Sequence, residues 1–163
     1  MRRTAKTVAL GGMLSAVAVV IMCLGSVIPI ATFVCPAFAM IAGQLTVRLC
    51  GRRIGWCWYG VVAILSLLMS FDKEAAMTFV FLGYYPMIKS WFDRYRFGWI
   101  GKYAYFNISV VAMYYLLLQL FGMAELAQEY SELGKVGVGI MLLLGNITFF
   151  MLDIILTRFS KRK

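Results

Sequence analysis

The sequence predicts an all-α integral membrane protein, six transmembrane helices in one bundle with both termini cytoplasmic. Three observations predict it. Apolar residues make up 63% of the 163 residues, and the mean hydropathy is +0.84, well above the roughly 45–50% apolar content of soluble domains. A chain of this length folding in water must cover one modest core with polar sequence, yet only 14% of this one is Asp, Glu, Lys or Arg. The apolar residues also form long runs, with neither a stripe every 3.6 residues nor a two-residue alternation.

A helix crosses the hydrocarbon core with about 20 apolar residues, and shorter ones are tolerated. The first span, 7–28, follows the basic start "MRRTAK". That start resembles a signal peptide, but further membrane sequence follows, so it reads as a retained helix. Ala5, Ala9, Gly12 and Ala16 recur along it. At about 100° per residue they share one narrow stripe, a face that lets a second helix approach closely. The stripe either packs on the protein's own helices or docks a separate subunit.

The second span, 37–50, is short, and Pro29 and Pro36 bracket an apolar connection before it. Proline suits a helix start or break, so 29–36 is expected to be a loop dipping into the outer surface. The third and fourth spans, 54–71 and 75–91, leave almost no residues between them beyond Asp72, Lys73 and Glu74. Gly83 and Pro86 predict a kink near the middle of the fourth. The fifth and sixth spans are 104–121 and 137–157.

Basic residues orient these spans. They cluster as Arg2, Arg3, Lys6; Arg48, Arg52, Arg53; Lys89, Arg94, Arg96, Lys102; and Arg158, Lys161, Arg162, Lys163. Six spans put every cluster on the cytoplasmic side, and only Lys73 and Lys135 fall outside them. Asp72, Glu74, Glu125, Glu129 and Glu132 fall on the outer side. Five or seven spans would break this alternation. The net charge of +9 is therefore read as membrane topology and not as a nucleic-acid surface. The location expected is a cell membrane, multi-pass, of bacterial plasma-membrane type.

A charge at a helix centre costs roughly 2.5–3.5 kcal/mol to insert, so polar groups at membrane depth are informative. Asp153 lies about one turn inside the last span and is expected to pair with Lys89 or Arg158. Asn146, Thr148, Gln119, Asn107 and Gln44 are the other polar candidates, with Tyr84, Tyr85, Tyr114 and Tyr115 near mid-depth. Amides in such positions bond across helices. Glu125, Glu129 and Glu132 read as a solvated face.

Enzyme classes fit poorly, and no catalytic residue is assigned. The chain has no histidine, which removes a Ser-His-Asp triad, an HExxH motif and a Cys/His zinc site. Cys23, Cys35, Cys50 and Cys57 have no CxxC spacing and read as small buried hydrophobes. There is no GxxxxGK[ST] loop and no paired carboxylate within a span, so neither a metal nor a cofactor is expected.

A chain of this length with six spans, both termini inside and "AKTVA" opening its first helix resembles the substrate-binding S component of an energy-coupling factor (ECF) transporter. The resemblance covers the whole chain as an architecture. It implies capture of a vitamin or other micronutrient from outside, and docking through Ala5 and Ala9 on a membrane coupling subunit driven by two ATP-binding cassette ATPases. It implies a site in the outer half, with the connections 29–36 and 71–75 as lid loops. Binding would need an apolar cavity with a few placed polar groups. The candidates are Asp72, Lys73 and Glu74 above it, and Tyr84, Tyr115, Gln119 and Asn146 lining it. A self-contained small transporter or flippase and a non-catalytic scaffold stay open as alternatives. A self-contained transporter favours an inverted repeat with paired broken helices, whereas only the fourth span is interrupted.

Overall fold

The structure is a computed structural model that describes residues 2–24, 31–96, 98–120 and 124–161. Among them it is all-helical: α1 (Arg2–Leu24), α2 (Ala31–Cys50), α3 (Arg52–Met69), α4 (Lys73–Leu82), α5 (Tyr85–Phe92), α6 (Gly98–Leu120) and α7 (Ala124–Lys161). Three stretches are long and apolar enough to cross a membrane: Ala5–Leu24, Thr32–Cys50 and Gly139–Phe159.

Helix α2 is the hub, packing against α1, α3, α4, α5 and α7, while α6 packs against α4, α5 and α7. The contiguous core contains Met22, Trp58, Phe79, Tyr85, Met87, Phe149 and Leu156. Helix α1 buries Gly11, Ser15, Ala18 and Met22, the i, i+4, i+7, i+11 face of a helix. A single residue, Gly51, joins α2 to α3 at φ +93°. Its N–H donates to the Val47 carbonyl and its own carbonyl accepts from Gly55, both at 3.0 Å. An L side chain would be strained there.

Side-chain contacts sort the helix ends. At one end the Cys50 thiol donates to the Thr7 carbonyl (3.3 Å), and Arg48 donates to the Phe159 carbonyl (3.1 Å). Those bonds gather the start of α1, the end of α2 and the end of α7. At the other end the Thr32 hydroxyl donates to Asp72 (2.8 Å), and the Tyr114 hydroxyl donates to Glu74 (2.7 Å).

Helices α4 and α5 are one apolar run interrupted at Gly83 and Tyr84. Pro86 brings no N–H, so the Leu82 carbonyl loses its helical donor. A side chain at 83 would meet the Phe79 carbonyl at 2.4 Å, so glycine is required by close approach. Two carbonyls of the last α4 turn are taken up by neighbouring helices. Tyr59 of α3 donates to Val80 (2.6 Å), and Tyr105 of α6 donates to Phe81 (2.8 Å). Side chains thus replace backbone donors where no water would.

The element boundaries differ from the sequence reading in several places, with α1 and α6 beginning earlier than expected, at Arg2 and Gly98. Residues 31–36 are helical in α2 and not a surface loop, with Pro36 inside the helix; residues 29 and 30 lie outside the described residues. Apolar sequence on both sides carries the helix across Pro36, which forgoes only the bond its N–H would give to Thr32. The expected span 75–91 is two helices, for the reasons above. The expected span 137–157 belongs to a helix of 38 residues, about 57 Å long. It runs through Glu125, Glu129 and Glu132, whose side chains lie outside the described residues. Residues 25–28 of the first expected span are likewise outside them.

Candidate functional site

Helices α2, α4, α6 and α7 enclose a cavity of about 540 Å³. Phe33, Ala37 and Met40 face it from α2, Thr78 and Leu82 from α4. Phe106, Val110, Met113 and Tyr114 face it from α6, and Met141, Gly145, Phe149 and Leu152 from α7. Its polar lining consists of three hydroxyls, each with a partner: Thr78 donates to the Met113 sulfur (3.3 Å), Thr148 to the Leu144 carbonyl (2.9 Å), and Tyr114 to Glu74. Among the described residues no charged side chain lines it. The volume falls within the range of small-molecule pockets.

The cavity floor is aromatic. Phe149 stacks on Phe106 at 4.7 Å and meets the Tyr85 ring edge-on at 4.9 Å. Directly beyond lies a cluster of ions. Lys89, only 3% exposed, donates to Asp153 and lies 3.6 Å from Asp93. Lys102 donates to both Asp93 and Asp153, the latter at 3.0 Å, and the Tyr85 hydroxyl also donates to Asp153 (2.6 Å). Arg158 is exposed and is not among the ion-pair partners of Asp153. The two carboxylates and two ammonium groups tie α5, the start of α6 and α7 together. Removing one partner from this partly buried set leaves a charge with fewer partners.

The three charges between α3 and α4 each have a role in the hairpin. Asp72 caps α4 by accepting from the Ala75 N–H (2.9 Å) while also accepting from Thr32. Lys73 donates to the Leu67 and Ser70 carbonyls (2.9 and 3.0 Å), the orphaned acceptors at the end of α3. Glu74 accepts from Tyr114, which links the triplet to the cavity wall. The remaining sequence candidates are dispersed. Tyr84 packs among Trp56, Tyr59 and Tyr105. Tyr115 is 63% exposed and Gln119 is exposed. Asn146 exchanges amide hydrogen bonds with Asn107 (3.0 and 3.1 Å). None of these four lines the cavity.

Sequence reasoning missed Tyr114 as a wall residue and Thr78 as the buried hydroxyl. It also missed Tyr59 and Tyr105 as donors at the helix break. The signal for the latter pair was available: a Gly/Pro interruption leaves carbonyls that some neighbour must satisfy.

On α1, Ala5, Ala9, Gly12 and Ala16 are all exposed, and a side chain added at Gly12 would meet nothing within 4 Å. The stripe is not consumed in the packing of the described helices. No family model matches the chain, and no curated protein or solved structure matches it either.

Proposed function

We propose that this protein is the substrate-capture subunit of a micronutrient uptake transporter, similar to the S component of an ECF transporter. It binds a small molecule from the outer side and docks a coupling subunit through α1. The observation that carries this reading is the cavity of about 540 Å³ among α2, α4, α6 and α7, a concave, largely apolar space of ligand size. The exposed stripe Ala5, Ala9, Gly12, Ala16 supports the docking half, because small residues allow close approach of a partner helix. Energy would come from ABC-type ATPases bound to that partner, since the chain has no nucleotide loop of its own.

The same proposal includes six spans in a bacterial plasma membrane, with α4 and α5 together forming the fourth. It is supported by the bonds that gather basic helix ends on one side and Asp72 with Glu74 on the other. Asp72, Lys73 and Glu74 then stand at the outer mouth. Their hydrogen bonds make them the frame of the hairpin over the cavity, and Glu74 reaches its wall through Tyr114.

Native mass spectrometry of the gently purified protein tests the reading. A retained small molecule and a co-purifying membrane subunit are expected, and Ala9→Trp should lose the subunit while keeping the molecule. A complex that survives the substitution removes α1 as the docking face. Protein that arrives with no small molecule removes the capture role.

A further inference from the structure

We infer that the cavity takes a neutral, lipid-soluble molecule carrying one hydrogen-bond acceptor, and receives it through the bilayer and not from water. This inference rests on the capture reading and narrows it.

The lining decides the charge of the ligand. Among the described residues its only polar side chains are Thr78, Tyr114 and Thr148, and none of them carries a charge. An ionised or zwitterionic guest would be desolvated with no counter-charge in the wall, a cost that burial of its apolar part does not offset. Among the described residues, the charges of the hairpin and of the Lys89–Asp153 cluster are already engaged.

Thr78 decides where the polar end sits. It is 5% exposed, and its proton goes to a thioether at 3.3 Å. Sulfur of this kind is a weak acceptor. A hydroxyl or carbonyl oxygen from a guest would be the stronger partner, and the Met113 chain is flexible enough to yield.

The rim decides the route. Lining residues that remain exposed are mostly apolar, Phe33 at 46%, Val111 at 61% and Leu144 at 56%, and the hydroxyl of the one exposed polar residue among those described, Thr148, is turned back onto the Leu144 carbonyl. Phe33 and Leu144 belong to the membrane-crossing stretches Thr32–Cys50 and Gly139–Phe159. The cavity therefore opens sideways, at the depth of acyl chains.

The test uses full-length protein in phosphatidylcholine nanodiscs, with all-trans-retinol as the neutral probe and pyridoxine as the polar one. Retinol binding is read by energy transfer from the protein's tryptophans, and pyridoxine binding by equilibrium dialysis. Saturable retinol binding is expected with no pyridoxine binding. Ala37→Phe, which fills the cavity, should weaken retinol at least tenfold, and exposed Leu68→Ala should leave it unchanged. Thr78→Val, nearly isosteric, should weaken it roughly threefold to tenfold, so the inference stays testable if Ala37→Phe does not fold. Retinol uptake that never saturates, and is equal in both cavity variants, gives the space to phospholipid acyl chains and overturns the inference. Saturable pyridoxine binding that Ala37→Phe abolishes also overturns it, while leaving the capture reading standing. If neither probe saturates, the inference fails, and mass spectrometry of the same sample decides the capture reading separately.

Discussion

Lys89 shows how a single residue in this fold is committed. Its ammonium is 3% exposed and faces two carboxylates, Asp153 and Asp93. Replacing it with Met keeps the stem and deletes the charge, leaving Asp153 with Lys102 and the Tyr85 hydroxyl. Lys89→Met is expected to lower unfolding stability in detergent by about 1–3 kcal/mol, since Asp153 keeps Lys102 and the Tyr85 hydroxyl as partners. Adding Asp153→Asn should recover part of that loss, and a double-mutant cycle showing no coupling would contradict the geometry. Asp72 separates in the same way. Asn can also cap a helix, whereas Ala cannot. Asp72→Asn should therefore stay near wild-type stability, and Asp72→Ala should lose about 1–2 kcal/mol in the same assay. If charge in the hairpin helps to hold a ligand, Asp72→Asn weakens binding at unchanged stability. Unchanged affinity would leave Asp72 as a cap alone.

At the scale of elements, the break between α4 and α5 depends on donors from outside the helix. Tyr59→Phe and Tyr105→Phe each strand one carbonyl, at Val80 or Phe81. Each is expected to cost about 1–3 kcal/mol in unfolding stability, with accelerated amide exchange around residues 80–87. Protection equal to wild type would mean that the backbone closes the gap itself. The break was legible in the sequence because glycine and proline act locally, through a missing side chain and a missing N–H. The choice of wall residue was not legible. Helix α6 is apolar on every side, so nothing in its pattern distinguishes Tyr114, half-buried against the cavity, from exposed Tyr115 one residue on. The helices packed against α6 decide between them, and Glu74 of α4 takes the Tyr114 hydroxyl. The extent of α2 was hidden for the opposite reason. Pro36 reads as a boundary, but the apolar residues around it gain more from a continued helix than one lost bond removes.

For the whole molecule, the charge alternation in the sequence and the bonds between helix ends make the same topological expectation testable. In a chain freed of native cysteines, Phe71→Cys lies at the tip of the α3–α4 turn, where the side chain is 91% exposed. A membrane-impermeant maleimide should label it in intact cells and leave a cysteine at Arg162 untouched until the cells are opened. Labelling of both, or the reverse, would overturn the six-span orientation. The all-helical character and the apolar, membrane-length helices were legible because long apolar runs act segment by segment. The cavity was not, since it arises from how four helices lean together, and no single segment carries that information.

The ion cluster beneath the cavity has an electrical consequence. Lys89 and Lys102 balance Asp93 and Asp153, so the group carries no net charge. A transmembrane voltage does work of about 2.3 kcal/mol on each elementary charge moved through 100 mV. It does almost none on a balanced set that moves as one body. An energised membrane would neither pull this floor open nor hold it shut.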